Sequence, residues 1–476
     1  EDNQGDLKTP FTLTSPGAHT SLFDLSGTLA KVSYNVSFTS RYADGLSAVE
    51  APQDAPQAFL SDRYTQYQTR GRVTYKFNKN ISYSHNFSFG KVKADFDSFN
   101  YTDASNQNTT KQVTTGGQLL WKYNKGMLVV NDSYTFIDRE FYSSFPSKFE
   151  SKAYGLDAYG TYKASKNLTL LVGLGYNSSS FTSYSVPFGA TQLVKGLDDN
   201  IANFTIVDPY LNLHYISSFG LNINAGARLN NHNLYGSHAV YNINPSYNFN
   251  IGKAILKVLG SYSTAYITPS LFQIQAPEYG NLELEPEQNA TLESGFEFTK
   301  TDKLRVSVVY FDRTETNFID FITVDPDNFV YQYQNIDTLF NASGLEVEAM
   351  MSLTKQMSFN ANYTNTQPDA RFVMRIPKHK ANAQLSYTTE RGYVSFNYQF
   401  VGDREDSYFN NDTFTTDTIT LDSFSTLDIS LARELSFTDD MRIFLNISNI
   451  LNQDYQELYR YQTRGRNITL GFTLGL

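Results

Sequence analysis

Apolar and polar residues alternate with a period of two along nearly the whole chain. From Lys31 onward, Val32, Tyr34, Val36 and Phe38 take the even positions, and polar residues take the odd ones. The same alternation recurs in segments 66–77, 154–163 and 467–476. Successive side chains of a β-strand point to opposite faces, so each segment has one apolar and one polar face. Helical patterning is nearly absent, and the pattern predicts an all-β protein.

The segments and the breaks between them predict about 22 strands, many of them longer than the usual five or six residues. The predicted strands are 7–15, 19–28, 31–42, 66–77, 81–97, 110–122, 126–142, 149–163, 167–182, 202–217, 221–234, 238–250, 254–269, 289–301, 303–322, 330–353, 356–368, 375–389, 392–408, 422–437, 440–449 and 464–476. No linker divides the chain, and no repeat of about 40–50 residues indicates a propeller or tandem sandwiches.

The connections between these strands alternate between short and long. Short turns are predicted near 27–29, 78–80, 124–126, 165–167, 252–253 and 390–392, and long connections near 43–65, 98–109, 183–201, 270–288, 409–421 and 450–463. All short turns then lie on one rim and all long loops on the other, which is typical of a bacterial outer-membrane barrel. We therefore expect residues 1–476 to form a single transmembrane antiparallel up-and-down β-barrel in the outer membrane, with both termini periplasmic.

The composition agrees with a sheet that has one apolar and one polar face. Charged residues make up 18% of the 476 residues, below the usual ~25%, while 34 Tyr and 36 Phe suit aromatic girdles at the membrane interfaces. The absence of Cys excludes disulfide scaffolds and thiol catalysis. The formal charge of −10, with no basic block, argues against nucleic acid as a partner.

Catalytic and metal-binding motifs are not found. The six His residues include no His-Glu-x-x-His pair, and there is neither a Gly-x-Ser-x-Gly nor a phosphate-binding loop, so the sequence does not indicate an enzyme. Asp325-Pro326-Asp327-Asn328 and Asp198-Asp199-Asn200 carry hard oxygen ligands suited to calcium, but such segments also fit solvated turns. We assign no metal or cofactor.

Three short motifs occur in a characteristic order. The first is AYITPSL at 265–271 with YGNLELEPE at 279–287 and ESG at 293–295; the second is RIPKH at 375–379; the third is ISNILNQDY at 447–455 with GR at 465–466. Together they resemble motifs of the TonB-dependent outer-membrane transporters, whose barrels have 22 strands, and the resemblance extends along nearly all of the chain. Leu476 departs from the aromatic residue that commonly ends such barrels.

The resemblance implies energy-coupled uptake of a scarce nutrient that binds on the loop side. The strand and loop spacing is most similar to cobalamin and ferric-siderophore receptors, with segments 7–42 and 226–236 favouring cobalamin. Family members carry a plug domain and a TonB box ahead of the barrel, and we expect both to be absent from this chain. The alternative is a non-transporting barrel subunit of a larger outer-membrane assembly.

A ligand-binding vestibule would combine aromatic and polar side chains on the outer loops. The aromatic candidates are Phe272, Tyr279, Tyr331, Tyr333, Tyr408 and Phe409. Arg371 and Arg404 are candidates for meeting an anionic ligand. The aromatic residues also fit a girdle at the membrane interface, which is the commoner role. The implied partners are outer-membrane lipid, a small nutrient, the TonB complex where a plug is present and, in the assembly alternative, a surface lipoprotein or other membrane subunits.

Overall fold

The computed structural model describes residues 17–51, 59–98, 100–328, 330–369, 373–410, 413, 415–435 and 441–474. The strands in chain order are β1 (Ala18–Leu29), β2 (Val32–Ala43), β3 (Tyr64–Lys76), β4 (Ile81–Phe96), β5 (Asn106–Tyr123), β6 (Gly126–Tyr142), β7 (Ser147–Lys163), β8 (Leu168–Ser185), β9 (Val194–Leu197), β10 (Asn203–Ile216), β11 (Leu221–His232), β12 (Gly236–Ile251), β13 (Ala254–Ile267), β14 (Glu287–Lys300), β15 (Leu304–Thr316), β16 (Phe318–Asp325), β17 (Val330–Ile336), β18 (Phe340–Ser352), β19 (Met357–Pro368), β20 (His379–Thr389), β21 (Gly392–Val401), β22 (Arg404–Asn410), β23 (Thr415–Leu421), β24 (Phe424–Glu434), β25 (Met441–Ser448) and β26 (Asn467–Leu474).

Twenty-two of these strands form one antiparallel sheet in which each strand pairs with the next strand of that sheet along the chain, except that β8 pairs with both β9 and β10. The hairpins β16–β17 and β22–β23 are separate two-stranded sheets inserted in long connections. A short helix, α1 (Leu271–Gln275), and a 3₁₀ turn (Thr301–Lys303) complete the secondary structure of the described residues. Neither helix has the length and apolar character needed to cross a membrane. The all-β antiparallel up-and-down prediction is confirmed.

The predicted strands that fall on described residues match the observed ones closely, with three kinds of difference. The predicted strand 7–15 lies outside the described residues, and the sheet reaches 22 strands by including β9, which the sequence pattern did not indicate. Predicted strands 303–322, 330–353 and 392–408 are each broken in two, at 317, 337–339 and 402–403. The turn predicted at 27–29 lies at 30–31 instead, and β23 was also missed. Asn317, with φ +56°, marks one of the breaks.

Three tight turns on the short-turn edge share one sequence pattern, which is Asn, Ser or Thr followed by Lys, an amide residue and an apolar residue. Oδ1 of Asn78 accepts the backbone N–H groups of residues 80 and 81 at 2.8 and 3.0 Å. The hydroxyls of Ser165 and Thr354 accept the equivalent pairs of N–H groups at 2.9–3.1 Å. These side chains cap the turn by the mechanism that makes such residues common in turns.

The sheet presents one exposed apolar face and one polar face. Leu119, Val130, Ala158 and Leu174 lie side by side on four successive strands of the apolar face. On this face Leu174 is 49% exposed, and the exposed apolar side chains continue around the sheet. A continuous apolar surface of this size requires lipid rather than water. The chain therefore places a membrane-facing belt on the outside of its sheet.

The opposite face is rich in side-chain amides. Nδ2 of Asn360 donates to Gln384 Oε1 at 3.3 Å, and Nε2 of Gln384 donates to Asn397 Oδ1 at 2.7 Å. The three residues lie on β19, β20 and β21 and line a concavity of about 460 Å³. Amides that bond each other across strands fit a water-filled lumen, where they also bond solvent.

The two ends of the sheet approach each other through their long loops. Val49, in the loop after β2, forms an antiparallel bridge with Tyr461, in the loop before β26. Beside it, the amide of Glu50 donates to Arg460 O at 2.8 Å, and the amide of Gln462 donates to Ala48 O at 3.1 Å. The sheet therefore curls until its first and last loops meet. We call this long-loop edge the mouth.

Candidate functional site

One side of the mouth holds a continuous chain of aromatic rings, the aromatic cluster. Phe149 on β7 stacks on Phe181 of β8 with ring centroids 5.9 Å apart, and both contact Phe272 of α1 at 6.5 and 6.2 Å. Phe272 contacts Tyr333 of β17 at 6.3 Å, and Tyr333 contacts Phe321 of β16 at 4.9 Å. The cluster therefore joins the sheet wall to the β16–β17 hairpin.

Helix α1 positions Phe272 because the sequence around it forms a capping box. The hydroxyl of Ser270 accepts the amide of Gln273 at 3.2 Å, and Gln273 Oε1 accepts the amide of Ser270 at 2.7 Å. Leu271 and Ile274 are buried, and Leu271 packs with Leu197 of β9. The five-residue helix is held by this packing, which turns Phe272 toward the hairpin.

The motif YGNLELEPE forms most of the loop between α1 and β14, and its side chains and backbone bind β17. Asn281 is buried, and its Nδ2 donates to Tyr333 O at 2.9 Å while its Oδ1 accepts the amide of Glu283 at 2.9 Å. Asn335 donates to Glu285 O at 2.8 Å and accepts the amide of Glu285 at 2.7 Å. The conformation of this loop therefore depends on amide side chains of the motif and of the hairpin.

Four aromatic residues predicted from the sequence meet in this cluster. Phe272 and Tyr333 are in contact, and Phe321 contacts both Tyr279, at 5.4 Å, and Tyr331, at 5.8 Å. Tyr279 and Tyr331 remain 38% and 37% exposed. Burial and the neighbouring Glu278 raise the pKa of Tyr279, so that its hydroxyl stays a neutral donor. Their role in ligand binding stays a prediction.

A second group at the mouth is organised by one buried carboxylate, and we call it the arginine cluster. Asp406 on β22 is 1% exposed. Its Oδ1 accepts Arg375 Nε at 2.6 Å and the amide of Ser407 at 2.9 Å, while its Oδ2 accepts the amide of Tyr459 at 2.8 Å. Burial alone would raise the pKa of Asp406, but the bonds from Tyr459, Arg375 and Ser407 outweigh it and hold that pKa below its usual value. Asp406 thus ties three loops together.

Aromatic rings and a second exposed arginine surround this carboxylate. The rings of Tyr408 and Tyr459 are 4.5 Å apart, and Tyr459 contacts Tyr101 at 6.3 Å. The guanidinium of Arg460 lies 5.4 Å from the centroid of Tyr101 and 5.5 Å from that of Tyr459. Tyr461 contacts Tyr101 at 6.1 Å. An exposed guanidinium held over aromatic faces suits an anionic, partly aromatic ligand.

The other predicted residues lie in different surroundings. Arg404 is only 7% exposed; its Nη2 donates to Gln456 O at 2.5 Å, and its guanidinium lies 5.4 Å from the ring of Phe424. Arg404 therefore lies beneath the surface of the mouth rather than exposed on it. Phe409 is 46% exposed at the end of β22. Arg371 lies outside the described residues.

Sequence reasoning missed Arg375, Asp406, Tyr459 and Arg460. Arg375 opens the RIPKH motif, and this was a usable signal. Asp406 and Tyr459 carry no local signal, because their contact joins residues 53 positions apart. Arg460 has a φ of +62°, a conformation that sequence alone does not reveal for arginine.

The acidic segments considered for calcium are engaged in other contacts. Oδ1 of Asp325 accepts the amides of Asp327 and Asn328 at 3.1 and 3.2 Å, which is a turn geometry. Asp198 binds Lys195 Nζ and Asp199 binds Lys152 Nζ, both at 2.8 Å. Within the described ranges no group of three His, Asp or Glu residues is placed to hold a metal ion.

The loop after β2 is anchored through two carboxylates. Asp97 is 8% exposed and accepts the hydroxyl of Ser47 at 2.8 Å and the amide of Val49 at 3.2 Å. Asp62 accepts the amide of Ala48 at 2.7 Å. Burial raises the pKa of Asp62 to about 6, with Asp97, Asp95 and Asp103 also raising it and the Ala48 amide lowering it.

We expect docking of this loop to weaken as the pH rises. The pKa of Asp62 is higher in the docked loop than its ordinary 3.8, so the associated stabilisation is fully present below pH 3.8 and is lost as the pH rises through about 6. Asp62→Asn is expected to abolish this dependence, because an amide does not titrate, while its oxygen still accepts the Ala48 N–H and keeps the loop docked. Hydrogen exchange of residues 46–51 across pH 4.5–7.5, corrected for intrinsic rates, measures it. An unchanged pH profile in the variant would contradict the assignment.

Sequence comparisons relate the chain to known proteins. The sequence model of the family described as "TonB dependent receptor-like, beta-barrel" matches residues 9–450. The vitamin B12 transporter BtuB of Vibrio cholerae is 29% identical over 249 residues, a match covering 51% of this chain and 38% of that transporter. The matched segment therefore spans well under two thirds of the relative.

Structural comparisons show the same fold over nearly the full chain. The siderophore receptor PirA of Acinetobacter baumannii superposes with a TM-score of 0.77 at 15% identity, covering 96% of this chain and 77% of that one. The copper transporter OprC superposes with a TM-score of 0.75 at 11% identity, covering 96% and 78%. At these identities the likeness concerns the fold alone.

Proposed function

Because the chain belongs to the TonB dependent receptor-like β-barrel family, we propose that it forms the barrel of a transporter that takes up a scarce nutrient, cobalamin or a ferric siderophore, across the bacterial outer membrane. Barrels of this family are bacterial outer-membrane proteins that serve as receptors and transporters. The observation that carries the proposal is the mouth, where the aromatic cluster and the arginine cluster lie on the same edge of the sheet. Periplasmic termini and energy coupling through TonB are part of the proposal.

The chemistry of the mouth supports these substrate classes. Cobalamin and ferric catecholate siderophores both combine aromatic rings with anionic oxygen groups. Arg375 and Arg460 offer exposed guanidinium groups, and Tyr279, Tyr331 and Phe321 offer exposed ring faces. Charge-assisted hydrogen bonds and ring stacking would recognise either ligand, and the relationship to vitamin B12 transporters favours cobalamin.

Arg460→Gln is expected to weaken ligand binding about tenfold, the effect of one lost charge-assisted contact. The substitution removes the charge over Tyr101 and Tyr459 without touching Asp406. Equilibrium binding of cyanocobalamin and of a ferric tris-catecholate to the purified full-length protein measures the effect and identifies the ligand class.

Lys166→Gln is the matched control, because Lys166 lies in a tight turn on the opposite edge of the sheet and carries the same charge. It is expected to bind like the parent protein. Binding of neither ligand by the parent protein would refute the substrate proposal and favour the assembly alternative. Uptake by cells that lack TonB is expected to stop, and continued uptake would refute energy coupling.

A further inference from the structure

Charged side chains on the membrane-facing side of the sheet are concentrated just beyond the apolar belt on a few neighbouring strands. On β4, Phe87 and Phe89 of the belt are followed toward the mouth by Lys91 and Lys93, and on β5 the belt ends at Val113, before Lys111. On β10 to β14 the corresponding positions are uncharged: Thr205, Asn231, Ser237, Thr264 and Gln288. The charge is therefore a local feature of one side of the barrel.

Lys91, Lys93 and Lys111, the lysine triad, repel each other within the protein. Lys91 and Lys111 are directly opposite on adjacent antiparallel strands and point to the same face, and Lys93 is the next residue on that face. Side chains in such a pair have Cβ atoms ~5 Å apart, and like charges there are destabilising. This separation is shorter than the Debye length of about 8 Å at physiological ionic strength, so salt does not remove the repulsion.

The carboxylates nearby compensate this charge only in part. In the described part of the chain, Asp138 is the only carboxylate in an ion pair with the triad, at 3.8 Å from Lys111 Nζ. Asp138, Glu140 and Glu150 all surround Lys148, at 3.5, 3.8 and 2.8 Å from its Nζ. Lys148 balances only one of these three carboxylates, so they also offset part of the charge of Lys111. Lys91 and Lys93, in contrast, form no ion pair within the described residues, and the uncompensated positive charge of the triad lies on them.

The level of the lysine triad in the membrane indicates which anion would neutralise it. Its side chains lie one step beyond the last apolar residues of the belt, on the mouth side, which is the level of the headgroups of the outer leaflet. Lysines at that level attract anionic headgroups. We propose that the lysine triad is a binding surface for the phosphate groups of a lipid in the outer leaflet.

Titration of the full-length protein in dodecyl maltoside with diphosphoryl lipid A tests the proposal, with bound lipid counted by native mass spectrometry. The triple variant Lys91→Gln, Lys93→Gln, Lys111→Gln is expected to lose at least about tenfold in affinity for lipid A. The matched control is Lys79→Gln, Lys166→Gln, Lys253→Gln, which changes the net charge equally on the short-turn edge and is expected to bind normally. Equal losses in both variants, or none in the first, would overturn the proposal.

Two further measurements separate lipid binding from other roles. Inorganic phosphate at the same phosphate concentration is expected to leave lipid A bound, and displacement would point to a site for a free anion instead. In lipid-free detergent, Lys91→Gln alone is expected to melt at the same temperature as the parent protein or higher, because it removes repulsion with Lys111. A lower melting temperature would mean that Lys91 has a structural role, and the proposal would fail.

Discussion

Asp406→Ala is expected to release three loops of the mouth at once. The substitution removes the buried acceptor of the Arg375 side chain and of the amides of Ser407 and Tyr459. A hydrogen bond to a charged group contributes about 1.5–3 kcal/mol, so local opening should become easier by about 2 kcal/mol or more. Hydrogen exchange at Ser407 and Tyr459 is therefore expected to accelerate by about 30-fold or more, and ligand affinity should fall with it.

Asp417→Ala is the matched control for this experiment. Asp417 lies on the partner strand of the same hairpin, and it accepts Asn410 Nδ2 at 2.8 Å and the hydroxyl of Thr415 at 2.9 Å, both within that hairpin. It removes the same charge without detaching the loops that carry Arg375 and Tyr459. Asp406→Asn should fall between the parent protein and Asp406→Ala, because an amide oxygen still accepts one N–H. If Asp417→Ala opened Tyr459 equally, Asp406 would not be the organising residue.

Gly280→Ala is expected to detach α1 and the motif loop from the β16–β17 hairpin. A Cβ at residue 280 would lie 2.6 Å from Ala276 O, 2.7 Å from Ala276 N and 2.7 Å from Ile274 O. These are backbone atoms, so the chain itself must move, and the bond from Gln332 Nε2 to Gly280 O would be strained with it. We expect faster hydrogen exchange across residues 271–285 and a loss of several-fold or more in ligand affinity, with the sheet unchanged.

Gly90→Ala provides the comparison, because a Cβ there meets no atom within 4 Å. It adds the same methyl group to a strand and is expected to leave exchange of residues 271–285 and ligand affinity unchanged. Normal binding and exchange in Gly280→Ala would show that the loop accommodates the methyl group, and that the close packing of Gly280 is not needed.

The sheet was largely predictable from the sequence because its rules are local. Alternation of apolar and polar residues decides which side of a strand faces lipid. Asn78, Ser165 and Thr354 each follow a strand with a side chain that accepts the amides two and three residues further on. The breaks at Asn317 and before Arg404 were not predictable in this way. Apolar alternation continues through them, although the strands there leave the main sheet and pair as separate hairpins.

The candidate site was predictable in part. Single residues could be identified from the sequence, but the tertiary contacts between them could not. Phe272, Tyr279, Tyr331 and Tyr333 were identified because aromatic residues in a predicted long loop, or beside one, are visible in the sequence. Their convergence on Phe321 was not visible, because it depends on how α1 and the hairpin pack. Arg404 shows the converse, since a charged residue expected to meet a ligand is buried against Phe424.

The sequence by itself determined a two-faced antiparallel sheet of about 22 strands, with short turns on one edge and long loops on the other. Side chains one or two positions apart carry that information, so no folded neighbour is needed to interpret it. Only the tertiary structure decided which loops meet at the mouth, where Asp406 holds Tyr459 and Val49 pairs with Tyr461. Those contacts join residues far apart in the chain, and they form because the curled sheet brings its first and last loops together.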